Sequence, residues 1–275
     1  MRIALDGPML VFGGPYSNLQ ATQAVLAEAA RRGIPPANIL CTGDVVAYGA
    51  DAAACCDLVM GSGIFVIAGN CEEQLAEAAG DCGCGFEEGT ACDLLSRSWY
   101  AHANAEVTPA QRDWMRALPK RIVLALPDGR RLAVLHGGAS ETSRFLFAST
   151  PDSVLAEEIA ATGCDGVIAG HCGLPFARRV GDALWLNAGA VGMPADDGTP
   201  RVWFAVLTPG PDGLGVEILP LDYDHAAAAA AMRAARLPEG YAAALSSGIW
   251  PSADVLPAAE RARRGQALAP VALMW

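Results

Sequence analysis

Asn38-Ile-Leu-Cys-Thr-Gly-Asp44-Val is the stretch that decides how this chain is read. A short apolar run ends in a glycine turn, and the turn presents one carboxylate. The same arrangement recurs in Ile64-Phe-Val-Ile-Ala-Gly-Asn70-Cys, in Leu132-Ala-Val-Leu-His136-Gly-Gly and in Gly166-Val-Ile-Ala-Gly-His171-Cys. An apolar run closed by glycine predicts a buried strand that delivers a polar residue to its C-terminal edge. Strands of this kind would bring Asp44, Asn70, His136 and His171 to one sheet edge. Oxygen and imidazole donors together form a ligand set for a divalent metal ion. His136 and His171 are half of the chain's four histidines. Asp44 after a buried strand needs a metal or a hydrogen-bond net, because an unpaired buried carboxylate is costly. Asn70 has a second reading, as a cap of the helix that follows it.

Outward from these turns, residues 9 to 76 read as βαβαβα. Met9-Leu-Val-Phe12 is a strand. Asn18 is placed to cap a helix over Leu19–Arg32, whose apolar positions recur at helical spacing, and Gly33 ends it. Helices follow over Cys55–Met60 and from Glu72 to Ala79. Residues 80 to 90, rich in glycine and acid, read as a loop on the side of the ligand turns. Ala91–Ala103 is helical, and Thr108-Pro-Ala-Gln111 opens another helix with a capping box. Ile122–Leu126 and Leu132–Leu135 flank Pro127-Asp-Gly129, a hairpin signal. A helix over Val154–Thr162 precedes short strands at Gly166–Ala169, Ala177–Val180, Ala183–Leu186, Arg201–Leu207 and Gly215–Leu219. After Pro220 the composition shifts. The alanine run behind His225 is a strong helix former. Residues 223–275 read as a helical extension that packs on the core or on a second copy of the chain.

The turns, in order, resemble those of the calcineurin-like metallophosphoesterases, in particular the small bacterial phosphodiesterase and phosphatase branch. Gly14-Pro-Tyr16-Ser-Asn18 stands where that family has Asp-x-His-Gly-Asn. Gly43-Asp44, Gly69-Asn70-Cys71-Glu72, His136-Gly137 and Gly170-His171-Cys172-Gly173 follow in the family's order. Asn187-Ala-Gly-Ala-Val-Gly192 looks like its late Asn-Pro-Gly-Ser-Val-Gly turn. The resemblance spans about residues 9 to 208 and implies an α/β fold, a four-layer α/β/β/α sandwich of two mixed sheets. On this reading residues 1–222 form the metallophosphoesterase-like domain and 223–275 the appended extension.

The resemblance also assigns roles. One family metal would keep every ligand: Asp44, Asn70, His136 and His171. The other keeps only the shared Asp44, since Gly14, Tyr16 and Gly173 stand at its remaining positions. One ion per chain, Mn, Fe, Zn or Ni, is therefore expected. Cys71 stands where the family has its catalytic histidine. It reads as a proton donor, as a ligand or as buried filler. Glu72 is the nearest acid for orienting water, and Tyr16, Asn18 and Arg144 are candidate substrate contacts. Tyr48 reads as packing. The implied activity is hydrolysis of a phosphate ester on a small substrate. Two alternatives stay open: a non-catalytic metal-binding or regulatory relative, and a thiol and metal redox enzyme using Cys71 or Cys172.

Composition bounds the rest. The 275 residues are 52% hydrophobic and 18% charged, enough for a sizeable core. A net charge of −11 opposes a nucleic-acid partner. No segment reaches the roughly 18 uninterrupted apolar residues of a membrane span. The N-terminus is a poor secretory signal, so a cytoplasmic protein with nine reduced cysteines is the expectation.

Overall fold

Alternation along the strands builds the layers. In the computed structural model, which describes residues 1–275, the first strand β1 (Arg2–Ala4) is followed by β2 (Met9–Phe12), α1 (Leu19–Arg31), β3 (Ile39–Cys41), α2 (Ala52–Gly61), β4 (Phe65–Val66) and α3 (Asn70–Ala76). Then come α4 (Ala91–Glu106), α5 (Pro109–Ala117), β5 (Ile122–Ala125), β6 (Arg131–Val134) and α6 (Asp152–Thr162). The strands β7 (Gly166–Ala169), β8 (Pro175–Val180), β9 (Ala183–Ala188), β10 (Val202–Gly210) and β11 (Gly213–Leu221) complete the sheets' main body. The C-terminal segment adds α7 (His225–Ala234), α8 (Glu239–Ser247), α9 (Ala258–Arg261) and β12 (Val271–Met274).

Two mixed six-stranded sheets result, with strand orders β1-β5-β6-β7-β9-β8 and β12-β11-β10-β2-β3-β4. Successive side chains of a strand point to opposite faces, so each strand serves two cores. Met9 and Val11 of β2 and Trp203, Ala205 and Leu207 of β10 face inward. There they meet Leu132, Val134, Ile168, Leu184 and Leu186 of the other sheet. Leu10, Phe12, Val202 and Phe204 face outward against α1, α2, α7 and α8. Ala133, Val167 and Trp185 face outward from the other sheet against α6. This is the α/β/β/α sandwich that the resemblance implied.

Local chemistry holds the elements in place. Asn18 Oδ1 accepts from the Ala21 amide at 3.1 Å and starts α1. Thr108 and Gln111 form the expected capping box, with the Thr108 amide donating to Gln111 Oε1 at 2.9 Å. The second helix begins at Ala52 rather than Cys55, because Ala52–Ala54 propagates helix readily.

The C-terminal segment differs from a purely helical extension. Its last strand, β12, pairs antiparallel with β11 and finishes that sheet. Four residues carry too little periodicity to be read as a strand, and the open edge of β11 supplies what local sequence lacks. Trp275 is buried beneath the Arg130 guanidinium, 4.1 Å from its ring centroid. No helix is long and apolar enough to cross a membrane. Gly83, with φ of +60°, turns the chain back so that the sulfurs of Cys82 and Cys84 meet, while the other seven cysteines stand apart.

Candidate metal centre

The four turns meet at the C-terminal ends of parallel strands, two from each sheet. β3 runs into Thr42-Gly43-Asp44, and β4 runs toward Gly69-Asn70 at the start of α3. β6 delivers His136 and its parallel neighbour β7 delivers His171. Gly43 has φ of +93°, and a Cβ there would sit 2.6 Å from the Gly69 amide nitrogen. Only glycine lets these two turns approach so closely. Asn187 holds the fourth turn, its amide donating to the Gly170 carbonyl at 2.6 Å.

The geometry of His136 fixes what the centre needs. Its Nδ1 lies 2.6 Å from the Thr42 carbonyl oxygen, which can only accept, so Nδ1 carries the proton. In the neutral ring, Nε2 then presents a lone pair. Facing it are Asp44 Oδ2 at 3.1 Å, Asn70 Oδ1 at 3.1 Å and His171 Nδ1 at 3.2 Å. Asp44, Asn70 and His136 are all buried. Acceptors crowded this closely repel one another unless a positive charge joins them, either a bound metal ion or, without one, the proton of a His136 imidazolium. The ligand atoms of Asp44, His136 and His171 all lie within 4.8 Å of one another. One carboxylate, one amide oxygen and two imidazoles fit a divalent transition metal.

The charges respond to this crowding. Burial works against the ionised Asp44, but His136 beside it brings its carboxyl below the usual range. Burial opposes the charged form of His136 too, and Asp44 outweighs it and raises the ring's pKa. His171 is pushed down to about 3, by burial first and then by His136, so it stays neutral. A neutral imidazole is the form that binds metal.

Asn70 is itself held from behind. Its Nδ2 donates to the Cys82 carbonyl at 2.9 Å and lies 3.3 Å from Cys84 Sγ. That bond turns Oδ1 toward His136 and settles which end of the amide faces the site. The glycine- and acid-rich loop thus supports a ligand directly, a part that its sequence did not disclose.

Several candidate roles do not survive the geometry. Glu72 is fully buried, and both of its carboxylate oxygens are taken by backbone amides. Oε2 accepts from Asp44 at 2.7 Å and Gly69 at 2.9 Å, and Oε1 from Val45 at 2.8 Å. Burial and then Asp44 push its carboxyl up to about 7, against the pull of those amides. It ties two ligand turns together and has no lone pair left for orienting water. Cys71 is 1% exposed and sits in the core behind Asn70. Burial, and then the charges of Asp44 and Glu72, hold its thiol protonated. Its Sγ accepts from Asn70 Nδ2 at 3.5 Å, so it packs on the centre from behind and does not line the cleft. Asn18 spends its amide on Gly192 O at 3.1 Å and Tyr223 Oη at 3.2 Å. Arg144 spends its Nη1 on Glu158 and on Ser140 Oγ at 3.3 Å, which ties it to α6. Cys172 is buried, and burial pushes its thiol up to about 12, which leaves little thiolate for redox chemistry.

Tyr16 has a different place. Its ring lies over Gly14 and reaches Gly173. A Cβ on Gly14 would lie 2.6 Å from Tyr16 Cε1 and 2.7 Å from Cε2. A Cβ on Gly173 would lie 3.8 Å from the Tyr16 hydroxyl and 3.4 Å from Trp250 Cζ2. Aromatic rings therefore border the space that a side chain at either position would enter. Burial first, and then Asp44, push the phenol well above its ordinary value, so it stays a neutral O–H donor.

Beside Tyr16 and His171 opens an apolar cleft of about 70 Å³. Tyr48, Phe86 and Phe145 line it, and the C-terminal segment closes it with Tyr241, Trp250 and Val255. Tyr48 is both packing and wall, with its ring centroid 4.9 Å from those of Tyr16 and Tyr241. Trp250 is fixed by its Nε1 donating to Pro194 O at 2.6 Å. Nothing in the Trp250-Pro dipeptide signals that role. It arises from contacts made far along the chain.

Solved structures share this arrangement of sheets. A metallophosphoesterase from Sphaerobacter thermophilus is 23% identical, with a TM-score of 0.69 over 88% of this chain and 99% of its own. A hypothetical protein from Pyrococcus horikoshii OT3 is 16% identical, with a TM-score of 0.72 over 90% of this chain and all of its own. No curated protein matches the sequence. The profile of the calcineurin-like phosphoesterase superfamily domain matches residues 17–209, which include Asp44, Asn70, His136 and His171. With two sheets, the turns at their carboxyl ends and that match over most of its length, the chain belongs to the calcineurin-like phosphoesterase superfamily.

Proposed function

We propose that this chain is a phosphoesterase working with one divalent metal ion, held by Asp44, Asn70, His136 and His171. The observation that carries the reading is the convergence of Asp44 Oδ2, Asn70 Oδ1 and His171 Nδ1 on a His136 nitrogen whose partner nitrogen already carries the proton. When bound, a divalent ion supplies Lewis-acid polarisation of a phosphoryl oxygen and a lowered pKa for a water. The chain's own residues do the rest. Thr42 O orients His136, and Cys82 and Cys84 orient Asn70. Tyr16 lines the cleft as a neutral phenol and is the group placed to donate a hydrogen bond to a phosphoryl oxygen. In this reading it takes over part of what the absent catalytic histidine would do. Residues 1–222 supply the centre, and 223–275 act as the outer wall of its cleft.

The test is turnover of bis(4-nitrophenyl) phosphate by protein reconstituted with Mn, Fe, Zn or Ni. Tyr16→Phe should keep its metal and lose about 10- to 100-fold in kcat, the usual size of one lost donor to the reacting group or somewhat less. Metal-loaded protein that hydrolyses no phosphate ester would sink the proposal.

One observation favours a second reading. Asp44, Asn70 and His136 are 4%, 3% and 2% exposed, which leaves His171 as the ligand that reaches the cleft. A centre so enclosed suits a protein that uses the ion to hold a binding cleft in shape. Binding of a phosphate ester with no turnover in any metal form would select it.

A further inference from the structure

We infer that the cleft selects a singly charged phosphodiester carrying a flat aromatic ring, in preference to a doubly charged monoester or a nucleotide polyphosphate. This rests on the phosphoester reading above and narrows it to a substrate class.

The first argument is charge. Fifteen residues line the cleft, and none is a lysine or arginine. Arg144, next in sequence to the lining residue Phe145, is paired with Glu158. At the centre, Asp44 is the one carboxylate among the ligands, with the Glu72 carboxyl held behind it by backbone amides. Against a divalent ion these leave at most a single net positive charge. A phosphodiester monoanion neutralises it. A monoester dianion leaves one uncompensated charge in an apolar enclosure, which low-dielectric surroundings penalise heavily. A polyphosphate is worse still, and the net charge of −11 repels it from a distance.

The second argument is shape. The walls are rings: Tyr16, Tyr48, Tyr241, Phe86, Phe145 and Trp250. Phe145 lies 4.3 Å from His171, centroid to centroid, so the aromatic wall begins at a ligand of the centre. Phe86 and Phe145 continue it outward in stacked orientation at 6.4 Å. No lysine, arginine, asparagine or glutamine stands among the lining residues to bind a nucleotide's phosphates or base edges. Aromatic faces attract a planar guest by stacking and edge contacts.

Charge and shape are tested separately on full-length protein. For charge, kcat/KM is compared for bis(4-nitrophenyl) phosphate and 4-nitrophenyl phosphate, which share a leaving group. The diester should be favoured at least tenfold. Val255→Lys sets an ammonium at the half-buried rim and should shift that ratio at least fivefold toward the monoester. The change in ratio cancels the intrinsic reactivity of the two esters. Ser252→Lys, at the neighbouring half-buried lining position, repeats the test should the first variant fold poorly. For shape, calorimetry compares diphenyl phosphate with dimethyl phosphate, which carry equal charge. Diphenyl phosphate should bind at least tenfold tighter, and chelation should weaken both while preserving the preference. A monoester turned over as well as the diester, a ratio unmoved by either lysine, or equal binding of the two diesters overturns the inference. If the ring preference holds in calorimetry and no ester is hydrolysed, the catalytic reading falls and the recognition stands. If esters are hydrolysed without these preferences, the inference alone falls.

Discussion

Removing His171 from the centre gives the sharpest separation between a metal site and an ordinary polar cluster. In the wild-type chain, free metal at 100 times its dissociation constant should stabilise the fold by about 2.7 kcal/mol. A chain of this size moves its unfolding midpoint by about 2–4 °C per kcal/mol, so saturating metal should raise it by about 5–10 °C. His171→Ala carries two separable costs. The ring's contact with Phe145, at 4.3 Å between centroids, is lost in every condition and is worth about 1 kcal/mol. The Nδ1 ligand is lost only where metal is present. Loss of a group that merely orients a ligand costs about 10- to 100-fold in affinity, so losing the ligand itself should cost at least about 100-fold.

At the same metal concentration the variant then sits near or below half saturation. Its metal increment falls to about 0.4 kcal/mol or less. Thermal unfolding of both proteins, each with excess chelator and with metal, reads out the four states. The expected pattern is a small gap between the proteins in chelator and a gap about 2 kcal/mol wider in metal. Equal metal increments in the two proteins would refute the ligand assignment, as would a wild-type chain that gains nothing. Elemental analysis should give about one equivalent, because Gly14 and Gly173 offer no side-chain donor. Two tightly bound ions would overturn the single-site argument.

Four further outcomes follow from the geometry. Gly14→Ala should destabilise by about 2–4 kcal/mol in chemical denaturation, since its φ of +42° is left-handed and the new Cβ meets the Tyr16 ring; a loss under about 0.5 kcal/mol would contradict that contact. Cys84→Ala, compared with wild type under reductant, removes an acceptor from Asn70 Nδ2 and should weaken metal binding up to about tenfold by competition titration; unchanged affinity would show that the Cys82 carbonyl suffices. Cys71→Ala should retain turnover within about twofold, as expected of a buried residue that lines no cleft and gives up only a long contact of 3.5 Å from Asn70 Nδ2; a large fall in kcat with metal retained would restore it as a participant. Glu28 is lowered from 4.5 to about 2, by its hydrogen bond to Arg31 first and then Arg32. A depressed carboxyl stabilises above its unfolded pKa and loses that contribution as pH falls from about 4.5 toward 2, so Glu28→Gln should flatten this limb of the stability profile by under about 1 kcal/mol; an unchanged profile would show that solvent screens the pair completely.

The residues of the candidate centre were legible because each occupies a local pattern: an apolar run that leads into a glycine-bounded turn carrying a polar residue. Strand period and glycine freedom are properties of a few consecutive residues, and so Asp44, Asn70, His136 and His171 could be named together. What stayed hidden depends on which atom faces which. Glu72 follows Asn70 at a distance that suits catalysis or capping equally well, and only the amides of Asp44, Val45 and Gly69 decide for capping. Thr42 orients His136 through a carbonyl that every residue has, so no side chain could announce it. The cleft wall joins Tyr16 to Tyr241 and Trp250, more than two hundred residues apart, and such contacts leave no local period. β12 was equally silent, since its partner edge lies on β11.

At Gly14 and Gly173 the space beyond each Cα is already taken. Tyr16 covers the first and, with Trp250, borders the second. An aspartate at 14 with Tyr16 in place would drive its Cβ into the ring, and a histidine at 173 would be aimed at Tyr16 and Trp250. Tyr16 in turn packs edge-on against Tyr48, which packs on Tyr241 and on Trp99. Exchanging one residue of this set back toward a metal ligand therefore collides with the others before it gains an ion. The same rings form the wall of the cleft beside His171. The glycine turns at 14 and 173 and the aromatic enclosure of the cleft are therefore one packed unit, tied together by Tyr16 and Trp250.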